Sequence, residues 1–167
     1  MKENNFINSA VKVMQIEGNA ILGLQDQIKE SFNDLCANIL ATKGKLILMG
    51  IGKSGHIAQK ISATLSSTGT PSFFIHPTEA AHGDLGMIDK KDAILILSNS
   101  GETKEIIEIL PALKRCAGSI FTLTNNADST IAKTGDINIL IKANEEACPL
   151  DLAPTSSTTL ALVFGDA

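Results

Sequence analysis

The chain has 167 residues, 44% apolar and only 4% aromatic, with 14 Lys and Arg set against 18 Asp and Glu. That length suits one domain burying about two-thirds of the surface its unfolded chain exposes. The weakly acidic balance and the absence of Trp and Tyr argue against a nucleic-acid partner, because phosphate backbones need a basic face and single strands need rings to stack on.

The N-terminal stretch MKENNFINSAVKV lacks the apolar core of about 7–15 residues that marks a signal peptide. Elsewhere the apolar runs stop near six residues, too short to span a bilayer. Cys36, Cys116 and Cys148 are odd in number, far apart and not in C-x-x-C pairs, so neither a disulfide framework nor a structural zinc site is expected. A soluble, cytoplasmic protein with reduced thiols and no membrane partner is the expectation.

In chain order, apolar residues recur from Phe6 to Leu40 in steps of three, four and seven, through Ile7, Val11, Met14, Ile21, Leu24, Ile28, Phe32, Leu35 and Ile39. This spacing predicts one long amphipathic helix, or two helices meeting near Gly18–Gly23. The stripe can face the domain's own core, a partner helix, or both. An alternation follows. KLILMG (45–50), SFFIH (72–76), AILILS (93–98), SIFTLT (119–124) and INILI (137–141) read as strands, with helical stretches at Ser54–Ser67, Thr103–Cys116 and Asp128–Lys133 between them. Strands apolar on both faces and separated by helices indicate a parallel sheet covered on both sides. The expected architecture is a flavodoxin-like, three-layer α/β/α sandwich with five parallel strands, forming a single domain over residues 1–167. In such sheets ligands sit at the carboxyl ends of strands where connections change direction. The loops after the first, third and fifth strands are therefore the ones to inspect.

The first of these, Met49-Gly50-Ile51-Gly52-Lys53-Ser54-Gly55-His56, satisfies G-x-G-x-x-G, a weak dinucleotide signal on its own. The second strand ends in His76-Pro77 and not in the acidic residue a dinucleotide ribose requires. A P-loop would need Gly at position 47, which is Ile. The second loop, Ser98-Asn99-Ser100-Gly101-Glu102-Thr103, runs from a strand into a helix N-terminus, whose partial positive charge favours an anion. Ordinary N-capping also selects Ser and Thr here, yet a cap uses one hydroxyl and this loop carries three. A third hydroxyl cluster, Ala153-Pro154-Thr155-Ser156-Ser157-Thr158-Thr159, opens the last helix. One of these residues is a cap; the surplus can bond a polyol or face solvent.

Taken together, GIGKSG, SSTGTPSFFIHPTEAAHGDLGM, SNSGETKE, EEACPLDLAPTSSTT and LVFGDA resemble the sugar isomerase (SIS) domain family, and within it the arabinose 5-phosphate isomerases. The resemblance covers essentially the whole chain, and HGDLGM and EACPL are particular to the isomerases. It implies interconversion of D-ribulose 5-phosphate and D-arabinose 5-phosphate through an enediol, feeding Kdo and lipopolysaccharide synthesis, with no required cofactor. It implies catalytic positions at Lys53, Glu105 and Glu146. Substrate contacts are implied at Gly52, Ser54, Gly69, Thr70, His82, Ser98, Ser100, Thr103, Thr155, Ser156 and Ser157. His76 matches a position that can bind an inhibitory zinc ion in relatives, although one histidine without partners at ligand spacing is poor support for a metal. His56 reads as structural.

The residue chemistry admits a plainer account at each position. Lys53 can stabilise an enediolate or stand exposed in solvent; Glu105 can act on substrate or complete a capping box; Glu146 can be a base or a surface charge; His82 can contact sugar or be satisfied by backbone. The sequence does not say which glutamate is the base. Relatives continue past Gly165-Asp166-Ala167 to a His-Pro-Gly-Gly segment with a fourth catalytic residue, and many then carry CBS domains. A truncated chain without CBS domains, a homotetramer assembled through its N-terminal helices, and weak turnover are therefore expected. The alternative reading is a non-catalytic, sugar-phosphate-binding regulatory SIS domain.

Overall fold

The structure, a computed structural model, describes residues 6–167. Of the N-terminal stretch compared above with a signal peptide, residues 1–5 lie outside the described residues. Among those described, no helix is long and apolar enough to cross a membrane.

Five strands form one parallel sheet: β1 (Leu46–Gly50), β2 (Ser72–Phe74), β3 (Ala93–Leu97), β4 (Ser119–Thr124) and β5 (Ile137–Leu140), in the order β2-β1-β3-β4-β5. Leu46 of β1 lies opposite both Ser72 of β2 and Ala93 of β3, so β1 is hydrogen-bonded on its two edges. Successive residues of each central strand feed opposite cores. Leu46, Leu48, Leu95 and Leu97 join the cluster covered by α1 (Phe6–Leu24), α2 (Glu30–Ala41), α3 (Gly52–Ser67) and α7 (Ser156–Asp166). Ile47, Met49, Ile94 and Ile96 join the one beneath α4 (Pro77–Ala81), α5 (Lys104–Cys116) and α6 (Thr130–Thr134). Each fully buried Leu or Ile contributes about 1.5–3 kcal/mol, which is why strands without a polar face remain in the sheet's centre.

The N-terminal segment is two helices, but they do not meet at the glycines. α1 runs through Gly18 and Gly23 and ends at Leu24, followed by a 3₁₀ turn at Gln25–Gln27 and extended residues Ile28 and Lys29. A tertiary contact fixes the bend there. The Gln27 amide donates to the Lys142 carbonyl at 3.0 Å and accepts the Lys142 N–H at 2.7 Å, tying the turn to the end of β5. β2 is also shorter than expected, because Pro77 starts α4 and the His76 ring accepts the Thr78 N–H as its N-cap.

Gly50 and Gly55 set the distance between β1 and α3. A Cβ on Gly55 would lie 2.7 Å from the Gly50 carbonyl oxygen, and one on Gly50 would lie 2.9 Å from the Gly55 nitrogen. Helix α3 can therefore start directly at the strand's carboxyl end. Gly55→Ala is expected to destabilise the fold by about 1–3 kcal/mol, measured by denaturant unfolding, because the backbone must separate to admit one methyl group.

Candidate active site

The connections from β1 and β3 leave the sheet on opposite faces, and a cleft of about 450 Å³ opens above their carboxyl ends. Its walls come from the loops after β1, β3 and β5, as the topology requires. Lys53 and Ser54 line it from the first turn of α3, Ser98, Asn99, Ser100 and Thr103 from the β3–α5 loop, and Glu146 and Asp151 from the β5–α7 loop. Ser157 closes it from the first turn of α7.

The β3–α5 loop is built in advance. Ser98 Oγ accepts the Gly101 N–H at 3.1 Å and shares a hydrogen bond of 2.8 Å with Thr103 Oγ1. Ser100 Oγ accepts the Glu102 N–H at 3.2 Å, and the Glu102 carboxylate reaches over to take the Thr130 N–H at 2.7 Å. Gly101 sits at φ 69°, a left-handed conformation that carries the turn into α5. Ser98 is thus a buried strut of the loop, while Ser100 is exposed at its tip. The helix that follows leaves first-turn N–H groups without intrahelical partners, and its dipole adds positive potential.

Of the charged side chains that line this cleft, Lys53 and Glu146 differ in how they are held. Lys53 is exposed and forms no ion pair among the described residues. Glu146 is tethered to the start of α7: Oε2 accepts the Thr155 N–H at 2.6 Å, the Thr155 hydroxyl at 3.1 Å and the Ser157 N–H at 3.3 Å. Burial works to raise its pKa, but the hydrogen bonds from Ser157 and Thr155 outweigh it and hold the carboxyl below its ordinary value. Glu146 is a carboxylate in this site at neutral pH.

Not every residue implied by the resemblance reaches the cleft. Gly69 and Thr70 precede β2 and so lie at the amino edge of the sheet, where they border a small depression with Leu40 and Pro71. Neighbours in the linear motif are here separated by the length of a strand. Gly52, Glu105, Thr155 and Ser156 stand outside the cleft lining, as does His82, exposed at the end of α4. Glu105 is exposed in the first turn of α5. Ser156 is fully buried, its Oγ without a hydrogen-bond partner among the described residues. His76 spends Nδ1 on the Thr78 N–H, and the described residues contain no group of three His, Cys, Asp or Glu able to hold a metal. The residues present do not fit a zinc site. His56 is exposed on α3 and does not pack inside the domain. Sequence reasoning did not single out Asp151 and Leu152, which line the cleft from an irregular loop with Asp151 at φ 50°. No spacing rule marks such a loop.

The switch-point cleft of this parallel α/β/α sandwich gathers a hydroxyl-rich turn, a lysine and a fixed carboxylate. The SIS domain sequence profile matches residues 39–167, and the chain belongs to the SIS domain family. It is 50% identical over 168 residues to the arabinose 5-phosphate isomerase KdsD of Pseudomonas aeruginosa, covering 100% of this chain and 52% of the relative. To the Yersinia pestis KdsD it is 49% identical over 163 residues, covering 98% of this chain and 50% of that one. The chain therefore spans about half the length of these relatives. Among solved structures, an Escherichia coli CFT073 protein in complex with arabinose 5-phosphate superposes with a TM-score of 0.94 at 42% identity, covering 99% of this chain and 88% of that one.

The tethered carboxylate has a stability consequence. A depressed folded-state pKa contributes stability that is present above the unfolded-state value and is lost as pH falls through the folded-state value. Glu146→Gln is expected to cost about 1 kcal/mol at neutral pH, the worth of a helix cap. The difference from wild type should shrink as both are unfolded at progressively more acid pH. A pH-independent gap would contradict the assignment.

Proposed function

We propose that this chain is the isomerase domain of an enzyme that interconverts D-arabinose 5-phosphate and D-ribulose 5-phosphate. The observation that carries this reading is that Lys53 and Glu146 line the same cleft as the Ser98–Thr103 turn. Cation, carboxylate and anion-binding turn are the three elements an aldose–ketose isomerisation asks for. The likeness to proteins named arabinose 5-phosphate isomerases, and to a structure in complex with arabinose 5-phosphate, supports the choice of sugar.

In this reading the phosphate lies against the N-terminus of α5, between the hydroxyls of Ser100 and Thr103. The N–H groups at the start of α7 are already taken by Glu146, so α5 is the better phosphate seat. After ring opening, Glu146 removes the proton from C2 of the aldose. The C–H electron pair forms the C1–C2 double bond of the enediol while the carbonyl oxygen gains negative charge, which Lys53 stabilises. A proton then passes from O2 to O1, and as Glu146 returns its proton to C1 the O2 electron pair collapses to the C2 carbonyl of the ketose. The isomerisation is redox-neutral overall, so it calls on no redox cofactor. Each positioned group contributes about 10²–10⁴-fold.

The same reading places the enzyme in the cytoplasm, with its product passing to Kdo and lipopolysaccharide synthesis. It also includes a homotetramer. Phe6, Ile7 and Met14 on α1 are 76%, 75% and 71% exposed, an apolar stripe that subunit association would cover. Glu105 and His82, outside the cleft lining of their own chain, would then be available to a neighbouring subunit.

Two measurements test the proposal. Arabinose or ribulose 5-phosphate should raise the melting temperature, corresponding to about 2.7 kcal/mol at a hundredfold excess over Kd, while NAD and ATP should not. In the full-length protein, Ser100→Ala should weaken affinity with kcat nearly unchanged, whereas Glu146→Gln should lower kcat about 10²-fold or more with little effect on binding. If both variants alter affinity alone, the domain is a sugar-phosphate sensor and not an enzyme. Light scattering should give a tetramer; a monomer would remove the assembly from the proposal.

A further inference from the structure

Thr155 stands immediately before α7, where a threonine ordinarily turns its hydroxyl onto its own helix. Here it makes no such side-chain cap. Its Oγ1 instead accepts the Ala147 N–H at 2.8 Å and donates to Glu146 Oε2 at 3.1 Å, while its own N–H donates to that same oxygen at 2.6 Å. One residue therefore holds the carboxylate from two directions and fixes the backbone of the residue after Glu146. A threonine hydroxyl has a single proton, and this one is spent on Glu146. The side chain stands outside the cleft lining, behind the Glu146 carboxylate it holds. The Thr155 N–H, the Thr155 hydroxyl and the Ser157 N–H all converge on Oε2, and the Ser157 hydroxyl also favours the ionised carboxyl.

We propose that Thr155 is a positioning residue for Glu146: it pins Oε2 to the start of α7 and leaves Oε1 as the oxygen that exchanges a proton with the substrate. This rests on the reading of Glu146 as the proton-transfer group. It reassigns Thr155, which the family resemblance would make a substrate contact, to acting through another side chain. The exchange of a local cap for a remote one explains the geometry. α7 loses nothing, because the Glu146 carboxylate satisfies N–H groups of Thr155 and Ser157, and the carboxylate gains a fixed orientation.

Other charged groups surround this pair. Lys53 lines the cleft from α3, and Asp151 lines it from the same loop as Glu146. Glu17 of α1 faces α7 through a bond of 3.1 Å from Thr159 Oγ1. In the same loop the Cys148 thiol is made more acidic by the backbone N–H groups of Leu152, Leu150 and Ala153. None of the carboxylates or cations forms an ion pair with Glu146 among the described residues, so the Thr155 hydroxyl, which also accepts the Ala147 N–H, is the contact a side-chain substitution removes while the Thr155 N–H stays in place.

The test uses Thr155→Val, which keeps the shape and removes the hydroxyl, with Thr155→Ser as the conservative rescue. In the full-length protein Thr155→Val should lower kcat about tenfold or more with KM nearly unchanged, since small displacements of a reacting group cost up to about 10²-fold. The hydroxyl bond favours the ionised carboxyl, so its loss raises the Glu146 pKa and moves the acid limb of the kcat profile to higher pH. Thr155→Ser should restore both. In a Glu146→Gln background Thr155→Val should have no further effect, because the two residues act as one unit. A raised KM with unchanged kcat would make Thr155 a substrate contact and overturn the proposal, as would additive losses in the double variant.

A second readout does not need turnover. Carbon-13 titration of the side-chain carboxyls, with the Glu146 signal identified by its loss in Glu146→Gln, should show the Glu146 midpoint rising in Thr155→Val. An unchanged midpoint overturns the proposal. If Thr155→Val does not fold, Thr155→Ala carries both measurements. A wild type without isomerase activity but with the titration shift would defeat the proposed function and leave the Thr155–Glu146 coupling standing.

Discussion

The structure depends on how β1 is paired. It is hydrogen-bonded to β2 on one edge and β3 on the other, both parallel, and its five residues are buried throughout. A parallel strand needs a crossover on each side, and the sheet's direction of growth reverses between β1 and β3. The two crossovers therefore leave on opposite faces, and the gap between them cannot be filled by either helix layer. The cleft is that gap. The Gly50–Gly55 contact sharpens it by letting α3 begin as soon as β1 ends, which brings Lys53 to the rim.

Electrostatics then divides the labour among the helix ends that meet there. Of the helices that begin at this edge of the sheet, α3, α5 and α7 open onto the cleft, each with a partial positive charge. One is already answered from within the chain, since Glu146 lies on the start of α7. The start of α5 is approached by hydroxyls instead of a carboxylate, and Lys53 carries no ion-pair partner among the described residues. Positive potential thus remains where a phosphate is proposed to sit and is cancelled where a carboxylate is wanted. Fixing that carboxylate with backbone N–H groups keeps it ionised without a salt bridge to Lys53, which would neutralise both.

The exposed apolar stripe of α1 belongs to a different level of organisation. Of its nineteen residues only Leu24 is buried in the domain, although α1 also packs on α7 through contacts that include Glu17 and Thr159. The same helix supports α7, whose first turn orients Glu146, so the proposed assembly and the proposed chemistry share a structural element.

The sequence by itself determined the alternation of strands and helices, the parallel sheet and the edge at which the cleft opens. These follow from short-range rules: β-branched runs with no polar face, helical periodicity between them, and hydroxyl-rich turns after alternate strands. Ser100 and Thr103 were legible because they lie in such a turn, whereas Lys53 and Glu146, which line the same cleft, were singled out through the resemblance to a family. The tertiary structure decided the rest. The bend after α1 falls at Gln27 and not at the glycines, because the Lys142 backbone, 115 residues away, is what holds it. Gly69 and Thr70 sit at the far edge of the sheet because a strand separates them from the residues that follow in the same motif. Asp151 enters the cleft on an irregular loop, and Thr155 turns from its own helix to a glutamate nine residues earlier. In each case the deciding partner is distant along the chain or on an element without periodicity, and a pattern read along one strand of sequence contains no distance between them.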